Sequence, residues 1–332
     1  MKLSILDQAP IVPESTASEA LQETIRLAQL GDQLGFTRYW IAEHHDLNGL
    51  ACPAPEVMLG IIGQQTNTIR IGAGAVLLPH YRPYKVAETF HVLASLYPDR
   101  IDLGLGRSPG GSAEASMALS GNFLENVRKM PESIEELLHF IHQDFPNENI
   151  FSKVKASPIP AVSPVPWLLG TSEKSAELAA EKGLDYAFGH FMSDQNGPAI
   201  VQKYRETMNN KLQQPGDVIV AVTVYCAETN EEAEQMAMSS LIASLKREQG
   251  DMQAGLATPE EINHFVLSDN EKDRLDKMKQ KMVIGTPSEV KEQLLVLEQK
   301  YDVDEFMLLT NTFSYEARRN SYQLVANEIL HK

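Results

Sequence analysis

Cysteine is nearly absent from this chain of 332 residues: there are two, Cys52 and Cys226, far apart and without CxxC spacing. That argues against a disulfide framework and a zinc knuckle, and a reducing compartment fits best. Basic residues are also scarce, with 29 Lys and Arg against 45 Asp and Glu and a formal net charge of −16. Nucleic acid and anionic membranes are therefore disfavoured as main partners, since both need clustered Lys and Arg. A single phosphate remains compatible, because a helix N-terminus or one arginine can hold it locally. The chain lacks a run of about 18 apolar residues for a membrane span, and no signal-peptide core follows Met1-Lys2-Leu3. A soluble cytoplasmic protein is the expectation. HExxH, low-complexity tracts and internal repeats beyond a strand–helix rhythm are missing too.

What is present is 43% hydrophobic residues and eight short apolar runs, at 3–7, 39–45, 69–78, 101–107, 167–172, 186–190, 218–226 and 306–311. Helix-like segments separate most of them, and nearly all end in polar or glycine-rich residues. This alternation is the sequence form of an α/β fold, the (β/α)8 TIM barrel, whose chemistry sits where the strands end. One barrel domain over 1–332 is expected, with insertion or lid segments at 112–164 and 246–284. Strand two should end near Glu43 and strand four near Arg107.

Local signals agree. Thr16-x-x-Glu19 reads as a capping box, followed by Leu21, Ile25 and Ala28 at helical spacing and closed by Gly35. Pro83 opens a helix with Val86, Phe90 and Leu93 as its buried stripe, and Pro98 stops it. Pro158, Pro160, Pro164 and Pro166 make an extended excursion before strand five rather than a central strand. Residues 246–284 are polar and partly helical, either a lid or an inert surface loop. Gly285-Thr286-Pro287-Ser288-Glu289 starts a helix, and the last helix spans roughly 315–330.

Glu43-His44-His45 is the densest titratable cluster. Adjacent strand residues point to opposite faces, so His44 and His45 cannot both ligate one ion, and no metal site is expected. A histidine moving a proton fits better, given an ordinary pKa of about 6.5; a histidine merely hydrogen-bonded at the rim is the alternative. Gly72-Ala73-Gly74-Ala75 ends strand three almost without side chains, either for close approach of a flat ligand or as a bulge. Gly104-Leu105-Gly106-Arg107 resembles half a dinucleotide fingerprint, but Pro109 occupies the third glycine position, so that reading fails. Arg107 is instead placed to pair with an anion. Gly170-Thr171-Ser172 ends strand five and begins a helix closed by Gly183, where Thr171 or Ser172 caps the helix or its free amides hold an anion.

The segments 3–7, 40–45, 71–79 and 97–107 together resemble the bacterial luciferase-like flavin monooxygenases, and 171–183 and 283–290 look like later segments of that family. The chain is most similar to its single-chain, MsnO8-like group. The resemblance implies a barrel that binds reduced FMN, supplied by a separate NAD(P)H-dependent flavin reductase. With dioxygen, the flavin oxygenates a small organic substrate. It implies a cis peptide at Gly74–Ala75 beneath the flavin ring, a phosphate region at Arg107, Gly170, Thr171 and Ser175, and acid–base work by His44. A homodimer is also expected. Gly106 stands where the luciferase α chain has cysteine, so light emission and an aldehyde substrate are not implied. Relatives that use F420 for hydride transfer give one alternative, and a non-catalytic flavin-binding protein gives another.

Overall fold

Short β-branched and aromatic runs bounded by glycine or polar residues favour buried parallel strands, and each of the eight runs forms one. The computed structural model describes residues 1–213, 215–251 and 253–331. Its strands are β1 (Lys2–Asp7), β2 (Arg38–Ile41), β3 (Arg70–Leu77), β4 (Ile101–Gly106), β5 (Val165–Gly170), β6 (Asp185–Gly189), β7 (Val218–Cys226), β8 (Met282–Gly285) and β9 (Glu305–Leu309). All pairings between these strands are parallel. The ring runs β1 to β7 in order, then through β9 back to β1. Helices cover its outside, so the chain is a closed (β/α)8 TIM barrel.

Three boundaries differ from expectation. β2 stops at Ile41, two residues short of Glu43. Ala42 still donates to the Asp7 carbonyl at 2.8 Å, but the His44 amide donates at 3.0 Å to the Cys52 carbonyl, on the returning segment rather than on a strand. Pro166 lies inside β5, opposite Leu103 of β4. It is tolerated because pairing with β6 begins one residue later, at Trp167. β8 was not expected: it lies along the last four residues of β7, from Thr223 opposite Met282 to Cys226 opposite Gly285.

The insertions are more regular than their composition indicates. Segment 112–164 holds helices Ala113–Ser120, Phe123–Arg128 and Met130–His142 before an extended return with a cis Ser157–Pro158 bond. Helix Asn230–Glu248 runs from the end of β7 into the second insertion, followed by Pro259–His264 and Asp269–Lys279. Ala233, Met236, Ala237, Leu241, Leu245 and Leu275 pack there with Tyr225 into a small core of their own.

Inside the barrel, Leu6, Trp40, Ala42, Trp167, Ala187, Ile219, Ala221 and Met307 form a separate buried cluster, with the two indoles edge to face at 5.5 Å. The N-terminal end of the ring is closed by charge. Arg38 reaches Glu305 and Asp102 at 2.9 Å each, Arg70 reaches Asp102 at 2.8 Å, and Trp40 Nε1 donates to Asp102 at 3.0 Å. Buried charges persist when paired and hydrogen-bonded in this way. The barrel is therefore plugged below, and its open end is the C-terminal one.

Candidate functional site

At the open end, the residues after β2 separate the two histidines. Glu43 is buried and ties this corner together. Its carboxylate accepts from the Leu77 amide at 3.0 Å and the Tyr81 hydroxyl at 2.7 Å, and lies 2.8 Å from His45 Nε2. His45 is thereby turned toward His80, with ring centres 5.8 Å apart, and its amide donates to the Gly110 carbonyl. His44 points elsewhere, into a cleft of about 310 Å³ that it shares with Gln8, Phe191, Thr223, Tyr225 and Asn311. Its Nδ1 is buried without a hydrogen-bond partner among the described residues. Burial, helped by the neighbouring His45, pushes the His44 imidazole down to about 4. At neutral pH it is therefore uncharged, able to accept one proton and to donate the one it holds. Among the described residues, no three His, Cys, Asp or Glu side chains are grouped to hold a metal ion.

β3 runs beside β2 in the ring. The Gly74–Ala75 peptide is cis. The β3–β4 register slips between Ala73 and Val76. Gly104 of β4 makes that slip possible, because a Cβ there would lie 2.2 Å from the Ala73 carbonyl oxygen. The glycines that imitate half a fingerprint thus serve strand packing.

Beyond β3, Arg107 follows the end of β4, exposed and with no ion pair or hydrogen bond among the described residues. Ser172, not Thr171, caps helix Glu173–Lys182, and Ser172 and Ser175 form a reciprocal capping box. The Ser175 hydroxyl is buried under this turn, 2.6 Å from the Ser172 carbonyl and 3.0 Å from the Tyr186 hydroxyl. Gly170 is pressed against it: a Cβ would meet Ser175 Oγ at 2.2 Å. Thr171 faces Gly189, and its carbonyl accepts from Ser193 at 3.2 Å. Burial pushes the Tyr186 phenol up to about 12, while Ser175 and the nearby Arg107 charge act against the rise. Because β4, β5 and β6 pair side by side, Arg107, the capped turn after β5 and Tyr186 share one corner of the rim. Ser175 and Gly170 shape that turn, whereas Arg107 and the first free amides of the helix are the groups left for an anion.

The reading from sequence missed Tyr186 and the whole far wall of the cleft, which comes from β7, β9 and helix Asn230–Glu248. The available signal was Ser240, Ser244 and Arg247, three polar residues at helical spacing. Arg247 and Ala254, Gly255 and Leu256 line the cleft, so the second insertion is part of the site's wall.

Comparison with known proteins gives a consistent result. The family model described as luciferase-like monooxygenase matches residues 1–302. The protein YceB of Bacillus subtilis (strain 168) is 40% identical, covering 99% of both chains. The N-acetyl-S-alkylcysteine monooxygenase of the same organism is 34% identical over 99% of this chain and 98% of its own. The crystal structure of apo-MsnO8 superposes with a TM-score of 0.85 at 32% identity, covering 100% of this chain and 99% of that one.

Proposed function

Because the chain belongs to the luciferase-like monooxygenase family, we propose that it uses reduced FMN and dioxygen to oxygenate a small organic molecule. The observation that carries the cofactor assignment is Arg107, an arginine without a protein partner beside the capped N-terminus of helix Glu173–Lys182. A guanidinium fork and free helix amides together suit a phosphate. The proposal gives the floor under the ring to Gly74 and Ala75, and the phosphate to Arg107 with the turn of Gly170, Thr171 and Ser175. Reduced FMN, once bound, supplies two electrons, so that one atom of dioxygen enters the substrate and the other leaves as water. A flavin reductase that uses NAD(P)H would provide it in that form.

The protein's own contribution is placement and proton handling. The Glu43 carboxylate holds the β2 and β3 ends in register through Leu77 and fixes His45 away from the cleft. That leaves His44, uncharged and without a competing partner, at the cleft wall to accept a proton from the substrate or to donate one to a developing oxyanion. The 34%-identical relative named for N-acetyl-S-alkylcysteines supports a small polar organic substrate.

The test is binding of FMN, riboflavin and F420 to the purified protein. Oxygen uptake is then followed with a flavin reductase, NADH and a panel of candidate organics. Tight FMN binding with substrate-dependent oxygen uptake is expected. Preference for F420 with oxygen-independent hydride transfer would replace the proposal, and flavin binding without turnover of any candidate would make the chain a flavin-binding relative.

A further inference from the structure

The cleft that begins at His44 has one positively charged side chain in its wall, Arg247, and no aspartate or glutamate lines it among the described residues. In a chain of net charge −16, that composition is specific to the site. Arg247 sits on helix Asn230–Glu248, whose Ser240, Ser244 and Arg247 fall at i, i+4 and i+7 on one face and all line the cleft. The apolar face of the same helix packs on Tyr225 and Leu275, which fixes its rotation.

Two N–H groups of Arg247 are engaged: Nη1 donates to the Ala254 carbonyl at 3.0 Å and Nη2 to Ser244 Oγ at 3.3 Å. A guanidinium has five N–H donors, and the other three have no partner among the described residues. Holding the Ala254 segment explains the Nη1 bond and Ser244 occupies Nη2, but neither accounts for the fork's remaining donors. Burial, with no carboxylate near, lowers the pKa of the group from its ordinary value. A half-buried cation without a carboxylate partner is relieved by an anion, and the planar fork matches a carboxylate in two parallel bonds. Leu47, Leu50, Phe191 and Leu256 line the same cleft and suit an apolar chain. A volume of about 310 Å³ suits a small molecule.

We propose that the cleft takes an organic carboxylate, with Arg247 gripping its head group and the apolar wall holding its chain beside His44. This inference deepens the oxygenase reading and rests on it for the word substrate, but the anion site itself stands on geometry that needs no flavin.

The probes are hexanoate and its uncharged counterpart hexanamide. Binding to the flavin-free protein is measured by calorimetry or by ligand-observed NMR. Hexanoate should bind the wild type more tightly than hexanamide. Arg247→Gln should weaken hexanoate about tenfold or more, the scale of a lost charge-assisted pair, and leave hexanamide nearly unchanged. Arg247→Lys, which keeps the charge but not the fork, should fall between. Circular dichroism and the melting temperature report whether each variant is folded. If Arg247→Gln unfolds, the Arg247→Lys result and the wild-type preference for the acid decide the matter. Equal affinity of the wild type for acid and amide, or hexanoate binding insensitive to Arg247, overturns the inference. Loss of FMN rather than hexanoate in Arg247→Gln also overturns it, because the anion would then be the flavin phosphate. Acid-selective binding in a protein that never binds flavin would leave this site standing while the oxygenase reading falls.

Discussion

Replacing His44 with Asn should change how the stability of the protein depends on pH, and the size of the change follows from its surroundings. An imidazole in an unfolded chain titrates near 6.5, whereas burial in the cleft wall pushes His44 down to about 4. Above about pH 6.5 the group is neutral in both states and contributes nothing to the slope. As pH falls from there toward 4, the unfolded chain takes up the proton and the folded chain does not, so the native state is progressively destabilised. A difference of about 2.5 units at 1.36 kcal/mol per unit gives a swing of roughly 3 kcal/mol. Water entering the cleft screens part of it, so about 1–3 kcal/mol is expected. Asn at position 44 abolishes the titration with a small loss of volume. The assay is urea unfolding of wild type and His44→Asn from pH 7.5 to 4, with the difference in unfolding free energy plotted against pH. That difference should grow in favour of the variant as pH falls, and an NMR titration of the wild type should show one histidine protonating well below the others. Parallel curves, differing by a constant to within about 0.5 kcal/mol, would show that His44 is as solvated as a surface histidine. The argument for a neutral, unpartnered base at the cleft would then fail.

Arg107→Ala should weaken FMN far more than riboflavin, which lacks the phosphate, as read by flavin fluorescence titration; equal losses would remove Arg107 from the phosphate site. His44→Ala should cut turnover with the true substrate by about 10²–10⁴-fold with flavin affinity nearly intact. His45→Ala, which breaks the contact with Glu43, should act mainly on the melting temperature, and the reverse pattern would assign the proton transfer to His45. Asp185 is pushed up to about 6, chiefly by burial and further by Asp217, while it accepts the Asp217 amide at 2.9 Å. A raised carboxyl costs stability as pH climbs through 4 to 6, so Asp185→Asn, which can still accept that amide, should stabilise the fold by about 1–3 kcal/mol at pH 8. The gain should vanish below about pH 4, and a pH-independent gain would point to a different cause.

The eight strands were legible because a fully buried parallel strand needs a short continuous apolar run, and each such run was bounded by glycine, proline or polar residues. Strand ends were less legible. Nothing in Ala42-Glu43-His44 marks the point where the His44 amide leaves the sheet for the Cys52 carbonyl, a contact set by a segment eight residues on. β8 was hidden because four residues of ordinary composition become a strand only where the end of β7 is left unpaired above β6. The rim residues Arg107 and His44 could be picked out because a charged or titratable side chain directly follows an apolar run. The surroundings of Ser175 were not legible: its hydroxyl is engaged by the capping box and by Tyr186, eleven residues on. Arg247 escaped because its importance lies in what surrounds it. A cleft without carboxylates is assembled from segments more than 200 residues apart, and no local window shows that.

The distribution of arginine partners gives the site its polarity. With 45 acidic residues against 29 basic ones, carboxylates are in excess over the chain as a whole. Three arginines inside the fold are matched to them: Arg38 and Arg70 to Asp102 at the closed end of the barrel, and Arg318 to Asp7 at 2.7 Å. Among those left without a carboxylate at the open end are Arg107, after β4, and Arg247, on the helix that follows β7. Around the ring, β4 is separated from β7 on one side by β5 and β6 and on the other by β3, β2, β1 and β9. The second path passes the side-chain-poor end of β3 and then His44. A phosphate at one arginine and a carboxylate at the other would therefore hold two anionic ligands by their far ends. Their uncharged parts would converge over Gly74 and His44, and neither anion would have to approach the other. In an acidic protein, whose net charge repels anions in general, two arginines without carboxylate partners would admit them at defined places.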